Sequence, residues 1–163
     1  MSLANALRRS NSGLALVSIL QYTGETVVSG ADETVLNAVD VPAGTFTTPG
    51  DAIEFDYVGR FDDSIHNLVT LKLGAQNLVL IDTAATTDEG SWSISGRIVA
   101  ASVDLANQRC TATVIVPSNV RAAGVTMTLD LSVDQDLTLL GDGPVEGGIS
   151  FHQAYVKFFS VAP

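Results

Sequence analysis

The chain has 163 residues, 46% of them hydrophobic and only 16% charged, with 18 acids against 8 cations for a net charge of −10. That length suits one domain with one core, and so apolar a composition argues against intrinsic disorder. Few cations on an acidic chain argue against a general grip on DNA or RNA phosphates, so no nucleic-acid partner is expected; a lone cysteine, Cys110, excludes an internal disulfide and a cysteine-rich zinc site.

Residues 1–24 differ from the rest and read as an N-terminal arm. Residues 2–9 could make two turns of helix with Leu3, Ala6 and Leu7 on one side, too short to be stable alone, and Asn11, Ser12 and Gly13 break it. Residues 14–22 read equally well as an extended segment that gains order by docking on the domain or on a partner, or as a frayed terminus. Arg8 and Arg9 precede the apolar run 14–20 in the order of a secretory signal. The run is short and has no convincing small-x-small cleavage site, so export is not expected. No stretch approaches the roughly 20 apolar residues that cross a bilayer as a helix, and no membrane partner is expected.

From Glu33 onward the apolar residues recur with period two, the signature of strands with a core side and a wet side. Ile53, Phe55, Tyr57 and Phe61 alternate with Glu54, Asp56 and Arg60. Residues 67–73 put Val69, Leu71 and Leu73 on one face and Leu68, Thr70 and Lys72 on the other; Gly74 reads as the corner of a hairpin whose return strand is 77–81. Trp92, Ile94 and Ile98 oppose Ser91, Ser93, Ser95 and Arg97. Residues 110–116 are apolar or β-branched on both sides, which predicts burial on both faces, the second of them under the arm, a loop or another subunit. The clearest alternation is 125–133, and the last strand, 150–161, carries Tyr155, Phe158 and Phe159. Residues 42–44, 47–51, 82–90, 117–124 and 141–148 gather the Gly, Pro, Asp, Asn, Thr and Ser of turns. The sum is about eight strands and no helical stripe, hence an all-β antiparallel sandwich or jelly roll over residues 25–163.

Chemistry is sparse in this pattern. Asp63, Ser64 and His66 sit in one loop, where neighbours do not aim at a common substrate atom, and no nucleophile elbow is present. Asp62 with Asp63, and Asp134 with Asp136, could offer oxygens to calcium, but neither has the spacing of a calcium loop. Gly141, Gly143, Gly147 and Gly148 lie between strands with no Lys and Ser/Thr pair behind them, so they are not a phosphate loop. Tyr22, Tyr57, Trp92 and Tyr155 are the aromatics suited to a sugar, though Trp92 falls on the apolar side of its strand and reads as core. Asp62 and Asp130 could pair as glycosidase carboxylates, but no spacing brings them together. No catalytic set, metal or cofactor is expected.

The runs Asp32-Glu33-Thr34-Val35-Leu36 and Val41-Pro42-Ala43-Gly44-Thr45 resemble the opening of small jelly-roll virion proteins of tailed bacteriophages and prophages. Asn67-Leu68-Val69-Thr70-Leu71-Lys72-Leu73-Gly74 is similar to their central strand ending in Gly, and Ser91-Trp92-Ser93-Ile94-Ser95-Gly96-Arg97-Ile98 to their Trp-bearing strand. The resemblance implies a noncatalytic structural protein of the virion, made in the host cytoplasm. Its expected form is a homotrimer that decorates the capsid and contacts the major capsid protein or another virion protein. With neither heptads nor a Gly-X-Y period, the chain is a head without a shaft. Leu3, Leu7, Arg8 and Arg9 are then the expected anchor. The alternative is a receptor- or glycan-binding knob of a tail fibre or appendage, with a host glycan as partner.

Overall fold

The computed structural model describes residues 14–27, 33–62, 66–83, 89–101, 107–117, 119–143 and 146–161. The expected anchor residues Leu3, Leu7, Arg8 and Arg9 lie outside these. Among the described residues there are ten antiparallel strands rather than about eight: β1 (Leu14–Val27), β2 (Thr34–Val41), β3 (Ala52–Phe61), β4 (Leu68–Leu73), β5 (Gln76–Asp82), β6 (Gly90–Ala100), β7 (Gln108–Val116), β8 (Asn119–Met127), β9 (Gln135–Asp142) and β10 (Ile149–Val161). They form a sandwich of a six-stranded sheet, β1-β10-β3-β6-β7-β8, and a four-stranded sheet, β2-β9-β4-β5. Partners far apart in sequence lie side by side, β1 with β10 and β2 with β9, as in a jelly roll.

Each sheet buries the face that its alternation marks. Ile53, Phe55, Tyr57 and Phe61 of β3, Trp92, Ile94 and Ile98 of β6, and Val69, Leu71 and Leu73 of β4 meet in one core. Trp92, expected in the core from its strand phase, is 1% exposed. Its indole is accommodated by Gly59, directly across from it in register: a Cβ at Gly59 would strike the Trp92 ring and the Ser150 carbonyl. Gly74 turns the β4–β5 hairpin with φ +53°, a left-handed conformation natural to glycine, so that corner forms where the sequence places it. Burial pushes the Cys110 thiol up to about 11, which keeps it protonated and unreactive at neutral pH.

Three local expectations are corrected. The alternation over 125–133 does not make one strand, because the chain leaves the sheet after Met127. There the Leu129 N–H donates to the Gln108 amide oxygen Oε1 at 3.0 Å, and Asp130 accepts the Ser132 N–H in a turn. Leu131 still tucks into the core, but as a loop residue, and Val133 is 49% exposed. Residues 119–124, read as part of a turn, are the first half of edge strand β8, paired to β7 from Val116↔Asn119 to Gln108↔Met127. Its small and polar residues carry no alternation, since an edge strand is held by backbone pairing more than by a buried face. Lastly, β7 is buried on one face only: Cys110, Ala112, Val114 and Val116 point inward while Thr111, Thr113 and Ile115 face out, Ile115 at 47% exposure. Nothing in β7 therefore requires a second subunit. The outer residues of β4, Leu68, Thr70 and Lys72, are half-buried.

Segment 14–27 lies along β10, with Leu14 opposite Val161 and Val27 opposite Ser150. It forms one edge of the large sheet, and β8 forms the other.

Candidate functional site

The wet faces of β1, β10, β3 and β6 combine into a groove of about 590 Å³ on the outer side of the six-stranded sheet. Strand register assembles it. Ile19, Lys157, Glu54 and Arg97 lie in one row across the four strands, and Gln21, Tyr155, Asp56 and Ser95 lie in the next. Adjacent strands are about 4.8 Å apart, so donors-only Lys157 and Arg97 flank acceptor-only Glu54 at close to that spacing.

The groove is partly prearranged. Ser95 Oγ donates to Asp56 Oδ1 at 3.0 Å, and Gln21 Nε2 donates to the Tyr155 hydroxyl at 3.3 Å, which steadies the ring's polar end. Arg97 Nε stands 4.0 Å from Glu54 Oε1, too far for a hydrogen bond, and this buried N–H has no partner among the described residues. Lys157 likewise has no ion pair among the described residues. The chemistry on offer is charged donors and charged acceptors in alternation, beside one half-buried aromatic ring.

Of the aromatics that the sequence nominates for sugar contact, only Tyr155 lines this groove. Tyr57 and Trp92 are buried, and Tyr22, 39% exposed, turns to the inner side and stacks on Phe151 with ring centres 5.2 Å apart. Glu54, Asp56, Ser95, Arg97 and Lys157 go unnoticed in the sequence as a site, because each reads there as an ordinary wet-face residue. Their only signal is the shared strand phase, which becomes a site once β3 is known to lie between β10 and β6.

The other candidates disperse. Asp62 follows the Phe61 end of β3, whereas Asp130 belongs to the loop fastened on Gln108, which pairs with Ala100 at the opposite end of the large sheet. The two carboxylates cannot face one glycosidic bond. Asp134 Oδ1 accepts the Ala43 N–H at 2.7 Å, and no group of three or more metal-ligating side chains occurs among the described residues. Asp63 and Ser64 lie outside the described residues, and His66 sits 3.0 Å from Asp82. Within the glycine cluster, Gly141 is a buried residue of β9 and Gly148 accepts the Asp62 N–H through its carbonyl, so the segment serves strand ends.

A Ser, His and Asp set does assemble, from residues other than the loop triplet. Ser150 Oγ donates to Asp62 Oδ2 at 2.7 Å and lies 3.0 Å from His152 Nε2; Asp62 also accepts Arg60 Nε at 2.8 Å. The hydroxyl has one proton and gives it to the carboxylate, so His152 Nε2 must carry the hydrogen of the second bond. An imidazole nitrogen that donates to the serine cannot take its proton, and the order is the reverse of a nucleophilic triad.

By its layers and pairing the chain belongs to the class of antiparallel β-sandwiches. No family model matches it, and no curated protein matches it in sequence. Among solved structures it is similar to the dimeric latent form of PorU from Porphyromonas gingivalis, at 8% identity and TM-score 0.46, over 88% of this chain but only 12% of that one. It is similar to the CBM2 module of the evolved Dit protein of Lactobacillus casei BL23 phage J-1, at 10% identity and TM-score 0.45, over 98% of this chain and 81% of that one. A lectin from Bauhinia forficata, in complex with GalNAc, is similar at 8% identity and TM-score 0.43 over 96% of each chain.

Proposed function

We propose that the chain is a noncatalytic glycan-binding module that reads a saccharide in the outer groove of its six-stranded sheet. One observation carries the reading: Lys157, Glu54 and Arg97 alternate charge across three strands beside the Tyr155 ring. A sugar hydroxyl both donates and accepts. It therefore matches a surface whose neighbouring groups can only donate or only accept, while a sugar ring's apolar face packs on an aromatic. Glu54 and Asp56 rise from alternate positions of one strand, beneath a ligand rather than on either side of a bond, which suits binding better than hydrolysis.

The setting on a phage appendage is supported by the resemblance in residues 32–36, 41–45, 67–74 and 91–98. The capsid-decorating homotrimer drew its physical support from strands buried on both faces, and β7 is not such a strand.

A glycan array followed by calorimetry tests the reading. Arg97→Ala and Tyr155→Ala should each weaken binding of the best glycan by about tenfold or more, roughly 1.4 kcal/mol, with unchanged melting of the fold and no sugar product released. An array without a hit, or affinities indifferent to both substitutions, overturns it.

A further inference from the structure

The cations of this acidic chain are unevenly placed. Six lysines and arginines fall among the described residues, and four of them, Arg60, Arg97, Arg109 and Lys157, stand on the outer face of the six-stranded sheet. Arg60 is engaged with Asp62. Arg97 and Lys157 line the groove, and Arg109 stands outside it, on the strand next to Arg97. Glu54 and Asp56, both on β3, are the acids of that face among the described strand residues, so the side toward β7 carries none.

Register narrows the location. Arg97 of β6 lies directly opposite Thr111 of β7, and Arg109 is two residues before Thr111 on the same outward side. Arg97 and Arg109 are therefore diagonal neighbours, about 7–8 Å apart at the backbone, with an exposed threonine hydroxyl beside both. Gly124 of β8 comes next in the row and offers no side chain to cover them. Arg109 has no ion pair among the described residues, and Arg97 has Glu54 only at 4.0 Å. Two guanidinium groups within reach of one anion, on a protein whose net charge is −10, form a local inversion of the surface field.

We infer that the groove takes an acidic saccharide, whose anionic substituent seats on Arg97 and Arg109 with Thr111 between them while its hydroxyls meet Glu54 and Asp56. This rests on the glycan reading above and adds to it the charge of the ligand. The planar forks of the two arginines suit a carboxylate or a phosphate group equally.

The test is an array of uronate-bearing oligosaccharides, each printed beside its carboxyl-reduced neutral counterpart, with an arm of phosphorylated oligosaccharides. Calorimetry on the best pair follows at about 50 mM and about 500 mM NaCl, since exposed charge contacts are screened as the Debye length shrinks. The acidic member should bind about tenfold more tightly at low salt, and most of that advantage should vanish at high salt. Arg109→Gln should remove the same advantage while leaving the neutral member's affinity unchanged. A strong phosphorylated hit with the same dependence on Arg109 also supports the inference and names phosphate as the substituent. Equal affinity for both members of every pair overturns it and leaves the glycan reading standing, as does an Arg109→Gln variant that weakens both members alike. Failure of all arms overturns both.

Discussion

Gly59 shows how one absent side chain shapes the interior. It sits across from Trp92 in the β3–β6 pair, and the space that a methyl group would take belongs to the indole and to the Ser150 carbonyl. Gly59→Ala should therefore overpack the core and cost about 1–3 kcal/mol, read as a lower urea midpoint with unchanged slope. A midpoint equal to the parent's would show that the indole can move aside. The burial of Trp92 was legible in the sequence, since its phase matches Ile94 and Ile98. The vacancy at Gly59 was not, because it depends on a residue 33 positions away that only strand pairing brings opposite.

Among elements, β7 is the one whose composition misleads. Its residues are apolar or β-branched on both sides, yet Val114 is 4% exposed and Ile115 is 47% exposed. Val114→Asp should prevent folding or lower stability by several kcal/mol, by burying an unpaired charge, and Ile115→Asp should change it by about 0.5 kcal/mol or less. Thermal melting of the two variants checks this; equal damage from both would mean that the outer face of β7 is covered in solution. Threonine and isoleucine suit a pleated surface whether or not it is buried, and hydrophobicity alone could not assign that face. For β8 and β9 the alternation itself is broken, by Ala122-Ala123-Gly124 in one and by the adjacent Leu139 and Leu140 in the other. The bulge between Val35 and Asn37, facing Leu140 and Leu139, absorbs the latter irregularity. The groove escaped sequence reading for a related reason: five ordinary wet-face residues become a site only through the order β10-β3-β6.

At the scale of the whole molecule, Asp51 ties the ends of several elements together. Fully buried, it accepts the N–H groups of Thr47 at 2.7 Å and Thr48 at 2.8 Å on one oxygen and that of Val161 at 2.8 Å on the other. Burial pushes its carboxyl up, but the bonds from Val161, Thr47, Thr48 and the Ser160 side chain outweigh this and hold it below the ordinary carboxylate value. A carboxyl lowered in the fold stabilises it at pH values above the unfolded value of about 3.9, and that contribution is lost as pH falls through the lower, folded value. Asp51→Asn should accordingly cost about 1.5–3 kcal/mol at neutral pH, and the gap between variant and parent melting temperatures should narrow toward pH 3. A gap that stays constant with pH would remove the charge from the account.

The pairing of Leu14 with Val161 has a topological corollary. Residues facing one another across an antiparallel ladder are about 5 Å apart, so the polypeptide enters and leaves the sandwich through a single doorway on one edge of the large sheet. A fold with such a doorway can be spliced into one surface loop of a carrier protein without prising that loop apart, and the carrier would gain the groove as a ready-made attachment.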